Sequence, residues 1–199
     1  MAKNIVKRCK TLGISPATMG YTGSSKSETI RHSQSDVRRK QSEYAVHLKE
    51  KQKVKFIYGV QEKQFRLAYE KAERMTGQTG EILLSLMERR LDNVVYRLGF
   101  AMTRAEARQM VTHAHFTVDG RKVNIPSFLV KPGMVVAVKE SSRGHARIKA
   151  NIETNSVAQP PKWLALDAAN MTAKVVAIPA REDIDFPVEE QLIVEFYSK

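Results

Sequence analysis

The most chemically suggestive residues in this sequence are cations repeated at helical spacing. Arg104, Arg108, Thr112 and His115 follow one another at intervals of three or four residues, so in a helix they form one polar stripe. Long cationic side chains on a rigid helix can bind the phosphates of a polyanion along a groove. The opposite side of the same stretch is apolar. We therefore predict a helix with one buried face and one basic face.

A second basic feature follows directly. Asp119 and Gly120 form a dipeptide favoured in two-residue hairpin turns, where both positions need a positive φ, and apolar residues flank it. This pattern predicts a β-hairpin over residues 116–125, with Arg121 and Lys122 beside the turn. Helix and hairpin together would make a positive ledge. A-form RNA is recognised mostly through its shape, phosphates and 2′-hydroxyls, so such a ledge suits structured RNA.

The elements before this ledge show helical signals. Ser42 can cap a helix that ends at Gly59. A second helix is predicted from apolar spacing at residues 65–72, and a third follows Gly80. We expect these three helices to pack as a small helical unit.

One further helix precedes the basic helix of this ledge. A helical face at residues 91–98 ends at Gly99, which suits the left-handed position past a helix end. The next helix should start at Thr103, with Glu106 completing a capping box. Helical spacing with apolar neighbours predicts three core methionines, Met75, Met87 and Met110.

The rest of the chain alternates strands and short helices. Strands are predicted at 134–138, around Leu164 and at 174–178, with a helix at 146–155. A last amphipathic helix after Pro187 needs a partner. The fold class is therefore α+β.

Charge is strongly segregated along the chain. The total is +12, with net +9 in residues 1–60, net +6 in residues 100–152 and net −4 in residues 153–199. Clustered Lys and Arg release condensed counterions when they neutralise phosphates, so this pattern favours a polyanion partner over a merely solvated surface. No run of about 18 apolar residues predicts a membrane span, and no small-molecule substrate is indicated.

Residues 88–127, ERRLDNVVYRLGFAMTRAEARQMVTHAHFTVDGRKVNIPS, resemble the RNA-binding module named after ribosomal protein S-four. The module also occurs in some pseudouridine synthases and tyrosyl-tRNA synthetases. The PPKWL at 160–164 and the IVEFYSK at 193–199 are similar to the bacterial-type ribosomal S-four family itself. The likeness covers nearly the whole chain from Ser42 onward.

The resemblance implies an architecture. It predicts a helical domain at 43–88 completed by a C-terminal helix at 187–199. Residues 1–42 are rich in Lys, Arg, Ser, Thr and Gly and poor in large apolar residues, so from composition we expect a basic, extended N-terminal arm there. The inserted RNA-binding domain, two helices plus an antiparallel sheet with its connecting strands, would occupy 89–180.

The resemblance also implies a function. Family members are structural constituents of the cytoplasmic 30S ribosomal subunit. They bind a multi-helix junction of 16S ribosomal RNA early in assembly of the subunit body. They contribute to translational accuracy with ribosomal protein S-five, and they line the channel through which messenger RNA enters. No enzymatic activity is expected, and no cofactor.

The sequence departs from the family in two places. Many relatives carry four N-terminal cysteines as a zinc site, whereas only Cys9 and His32 occur here in the first 42 residues. A structural zinc needs four ligands, so we expect a zinc-free variant without a metal site. Ala114 stands where the family pattern has glycine, between His113 and His115.

The candidate RNA-binding residues are basic side chains of the arm, the helical unit and the module, with two histidines and one serine. They are Lys3, Lys7, Arg8, Lys10, Arg38, Arg39, Lys40, Lys49, Lys53, Lys55, Arg89, Arg90, Arg97, Arg104, Arg108, His113, His115, Arg121, Lys122, Ser142 and Arg143.

Two other functions stay open. An RNA-modifying enzyme would need a catalytic domain, and once the module and the basic arm are set aside only about 45 residues remain on each side, too few for one. A non-ribosomal RNA chaperone, or a repressor of its own translation, is the remaining alternative.

Overall fold

The computed structural model describes residues 2–21, 42–155 and 159–198. Within them the chain divides into two compact units, Met1–Glu81 with Asp185–Lys199, and Ile82–Ile184. Helices and an antiparallel sheet are both present, which confirms the α+β prediction. None of the described helices is long and apolar enough to cross a membrane.

The first unit is helical. It contains α1 (Ala2–Leu12), α2 (Glu43–Tyr58), α3 (Glu62–Glu73), the start of α4 (Thr79–Glu88) and the C-terminal helix, which is α8 (Glu190–Ser198). A 3-10 turn at Pro16–Met19 follows α1.

The boundaries of α2 follow from two local signals. The Ser42 side chain accepts a hydrogen bond from the Ala45 amide at 3.3 Å, and Gly59 ends the helix with φ of 63°. Both predictions are confirmed. The helix buries Val54 and Ile57, which supply the apolar face of the unit.

The C-terminal helix packs against α2 and α3. The Tyr197 hydroxyl donates to Glu62 Oε1 at 2.8 Å, and its ring lies 4.7 Å from that of Tyr69. Glu62 also accepts from Lys51 at 3.0 Å and from Lys55. The packing gives α8 the partner that its amphipathic sequence requires.

The arm differs from its prediction of an extended chain. Residues 2–12 form α1, which packs on α2 and buries Cys9 completely. The reason is an apolar side within a basic stretch, which lets a short helix bury one face. Arg38, Arg39 and Lys40 lie outside the described residues, as does His32.

The second unit is built around a five-stranded antiparallel sheet. The strands are β1 (Phe116–Val118), β2 (Arg121–Lys122), β3 (Val135–Val138), β4 (Leu164–Asp167) and β5 (Thr172–Val175), in the order β2-β1-β3-β5-β4. The last strand begins and ends earlier than predicted. Its place is fixed by pairing with both β3 and β4.

Three complete helices accompany this sheet: α5 (Leu91–Arg97), α6 (Arg104–Thr112) and α7 (Ala146–Thr154). One continuous apolar core joins helices and sheet, and it includes Phe100, Phe116 and Trp163. The core fixes the backbone on which the basic side chains stand.

Candidate nucleic-acid interface

The helix α6 starts at a side-chain cap. Thr103 Oγ1 accepts from the Glu106 amide at 3.2 Å, as predicted. Glu106 Oε2, however, accepts from the Met102 amide at 2.8 Å, one residue before the position a capping box uses. Glu106 also accepts from Arg147 Nε at 2.7 Å, which connects the start of α6 to α7.

Arg104 does not contribute to an exposed stripe. The residue is 6% exposed, its Nε donates to Asn93 Oδ1 at 2.7 Å, and its guanidinium lies 4.3 Å from the centre of the Tyr96 ring. Helical spacing placed Arg104 with Arg108, but packing between α5 and α6 turns Arg104 inward.

Two more arginines of the candidate set are used inside the protein. Arg90 makes a two-point ion pair with Asp92, at 3.0 and 2.7 Å, and both are buried. Arg97 pairs in the same way with Glu88. A buried charge is retained only where it is paired and hydrogen-bonded. These cations therefore stabilise the interior of the module and are not available on its surface.

Arg89 is also turned towards the protein. Its Nε donates to the Val130 carbonyl at 2.9 Å, and burial lowers the pKa of its guanidinium. This bond holds residues 89 and 130 together beside the backbone bridge between Arg90 and Leu129.

The remaining cations of the module point outward. Arg121 and Lys122 are exposed at the hairpin, where Asp119 and Gly120 have φ of 49° and 78°. This confirms the predicted turn. Arg108 is half-exposed, 3.9 Å from Asp92, and Arg143 is exposed.

The end of α6 and the loop after β3 bring histidines together. His115 Nδ1 lies 3.0 Å from Ser142 Oγ, and its ring lies 5.2 Å from that of His145 and 6.2 Å from that of His113. Burial, with the positive charge of these rings and of Lys139, lowers the pKa of His115.

His145 is absent from the predicted set. It lies 30 residues from His115, and no local pattern connects the two. The Lys139 amide donates to the His115 carbonyl at 2.8 Å, which aligns the loop with the chain after α6. Only this long-range pairing shows that His145 belongs with the other rings.

Between two of these rings the backbone is strained. Ala114 has φ of 59°, a left-handed conformation that costs an L-residue with a side chain about 1–2 kcal/mol. The departure from glycine noted in the sequence therefore falls on a position that requires glycine-like geometry.

The candidate cations of the helical unit differ in how far they are paired or buried. Lys53 Nζ bonds Glu50 at 2.5 Å and the Pro187 carbonyl at 3.4 Å, and Lys55 pairs with Glu62. Lys49 is partly buried. Lys53 and Lys55 are therefore engaged within their own unit.

On α1 the basic side chains are more open. Lys7 and Arg8 are exposed and Lys10 is half-buried, while the Arg8 guanidinium lies 4.8 Å from the Phe56 ring centre. Lys3 lies in the same helix. Burial raises the pKa of the Cys9 thiol, which disfavours the thiolate that a zinc ligand must be.

Two family descriptions match the chain. The one described as S4 domain matches residues 89–136, and the one described as ribosomal protein S4/S9 N-terminal domain matches residues 3–88. Together they cover the helical segment and the module with its hairpin.

Several curated relatives share one name. The small ribosomal subunit protein uS4 of Fusobacterium nucleatum is 50% identical over 202 residues, covering 100% of both chains. That of Agathobacter rectalis is 49% identical over 195 residues, or 98% of this chain and 96% of the relative. That of Halothermothrix orenii is 59% identical over 162 residues, or 81% and 78%. With identity at this level over the full length, the chain belongs to the small ribosomal subunit protein uS4 family.

Proposed function

We propose that this protein is a non-enzymatic structural constituent of the small ribosomal subunit that binds 16S ribosomal RNA. The relatives named for that subunit support the structural role, and the matched S4 domain supports RNA binding. Residues 89–180 would act as the RNA-binding domain. Residues 43–88 with 187–199 would form the helical domain.

The observation that carries RNA binding is a division among the module's cations. Arg90, Arg97 and Arg104 are used in internal pairs, whereas other basic side chains stay exposed on rigid elements. We define the exposed basic set as Arg108, His113, Arg121, Lys122 and Arg143, with half-buried His115 beside it. Phosphate contacts position a protein on RNA without reading sequence. The exposed basic set consists of side chains that can make such contacts.

The arm supplies a second, separate group of cations. Lys7 and Arg8 stand exposed on α1, and Arg38, Arg39 and Lys40 follow beyond the described residues. We propose that this group binds RNA as well, because residues 1–60 keep a net charge of +9 after their own carboxylates are counted.

The finer family functions are part of the same proposal. They are early nucleation of the subunit body, a contribution to translational accuracy with ribosomal protein S-five, and a place along the channel through which messenger RNA enters. The acidic C-terminal segment, net −4 in residues 153–199, would suit a basic protein neighbour.

The direct experiment measures binding of the full chain to a five-helix-junction fragment of 16S ribosomal RNA and to transfer RNA at several salt concentrations. We expect tighter binding to the junction that survives moderate salt. Equal, salt-sensitive binding to both RNAs would contradict the ribosomal role and favour the RNA chaperone. Repression of its own translation would be tested by measuring the affinity of the protein for the leader of its own messenger RNA.

A further inference from the structure

We propose that Glu43, His47 and Glu195 form a site for a divalent transition metal, with zinc as the ion that fits best. His47 Nε2 lies 3.1 Å from Glu195 Oε2 and 4.0 Å from Glu43 Oε1. All three potential ligand atoms lie within 4.8 Å of one another. The inference does not depend on RNA binding.

The spacing suits a small ion. Zinc binds imidazole nitrogen and carboxylate oxygen at about 2.0–2.2 Å, so ligand atoms of a tetrahedral site lie about 3.3 Å apart. The two measured distances from His47 Nε2 lie on either side of this value. The longer distance belongs to Glu43, the more exposed of the two carboxylates.

The site is held in place by its surroundings. Glu43 and His47 are one turn apart on α2, and Glu195 comes from α8. On neighbouring positions, the Tyr44 and Phe196 rings lie 5.5 Å apart, which fixes α8 on α2. The ligands are therefore brought together before any ion binds.

Burial differs between the histidine and the carboxylates in a way that suits a metal. The His47 side chain is 4% exposed, whereas those of Glu43 and Glu195 are 73% and 53% exposed. The imidazole nitrogen is thus presented from the protein side, and the carboxylates leave a route for the ion and for a water as fourth ligand. Three protein ligands with one open position is an established zinc arrangement.

The ligand types select among metals. Magnesium and calcium prefer oxygen ligands, whereas one imidazole and two carboxylates suit zinc and neighbouring transition metals. Lys51, one turn after His47 on α2, is paired with Glu62 at 3.0 Å and also lies over the Phe196 ring. Its charge is compensated and does not oppose the ion.

Binding would connect the C-terminal helix to α2. The ligands lie at positions 43, 47 and 195, so the site exists only in the folded chain. An ion that binds the folded state alone raises its stability by mass action. Zinc should therefore raise the melting temperature of the free protein.

The test titrates the full chain with zinc chloride by calorimetry and measures thermal unfolding with and without the ion. We expect one ion per chain, and His47→Gln and Glu195→Gln to weaken binding by roughly tenfold or more. Glu195→Gln changes an exposed side chain, so it should fold normally. Cobalt should give the visible absorption of a tetrahedral site in the parent protein.

His113→Gln is the matched control, because His113 belongs to the separate cluster of three histidines. It should bind zinc as the parent does. The proposal is overturned if zinc does not bind, or if binding survives in both His47→Gln and Glu195→Gln. It is also overturned if His113→Gln removes binding, because the ion would then sit at the other cluster.

Discussion

Arg97 and Glu88 form a buried two-point ion pair: Nε lies 3.0 Å from Oε2, and Nη2 lies 2.8 Å from Oε1. The side chains are 8% and 0% exposed. Glu88 also accepts from Asn93 Nδ2 at 2.8 Å, and Asn93 in turn accepts from Arg104. One buried carboxylate thus organises the polar contacts between the end of α4 and the helix pair α5 and α6.

Glu88→Gln should therefore destabilise the protein. The substitution leaves the Arg97 guanidinium buried without its counter-charge, which typically costs about 3–5 kcal/mol. Denaturant unfolding followed by circular dichroism measures the change. The control is Glu70→Gln, which breaks the exposed pair with Arg66 and should cost under about 1 kcal/mol. Equal small losses in both variants would show that the buried pair is not a stabilising element.

Ala114→Gly should stabilise the protein by about 0.5–1 kcal/mol, because glycine adopts the observed φ of 59° without strain. Ala150→Gly, in the middle of α7 and exposed, should lose a similar amount, because glycine is a poor helix former. Thermal unfolding of the two variants compares them directly. Loss of stability in both would mean that Ala114 is not strained.

Acidification should weaken the fold through His115. Its pKa is lowered in the folded protein, so the unfolded chain binds a proton first, and stability falls as pH drops below about 6.5. In His115→Gln this part of the pH dependence should disappear. Free energies of unfolding measured between pH 5 and 8 give the comparison. An unchanged slope in the variant would assign the effect to another group.

A second acid-sensitive contact is Glu62. Burial alone would raise its pKa, but hydrogen bonds from Lys55, Lys51 and Tyr197 outweigh it and lower the pKa to about 2. The stabilisation is present above the ordinary pKa of 4.5 and is lost as pH falls towards 2. Glu62→Gln should be less stable than the parent at pH 7 and approach it in acid. A stability difference that is independent of pH would contradict this.

Local signals predicted the elements well. Ser42 and Thr103 cap their helices, Gly59 and Gly99 end helices with positive φ, and the dipeptide after Val118 forms the turn. Each of these signals acts within four residues along the chain. Short-range signals of this kind can be recognised in the sequence without knowing the fold.

Long-range partners were not predictable in the same way. Helical spacing grouped Arg104 with Arg108, but only the packing of α5 against α6 decides that Arg104 is buried. Met75 was predicted to lie in the core and is 42% exposed, so that prediction was wrong. Met75 lies two residues beyond the end of α3 at Glu73, so it is not held on the apolar face of that helix.

Binding of the exposed basic set to phosphates of ribosomal RNA can be tested with the double variant Arg121→Ala, Lys122→Ala. Its affinity for the 16S junction fragment is measured across salt concentrations beside Arg66→Ala, Lys71→Ala. That control removes the same charge from exposed positions of α3. We expect weaker binding and a salt slope reduced by about 1 per lost contact for the hairpin variant alone. Equal slopes in the parent and both variants would contradict it.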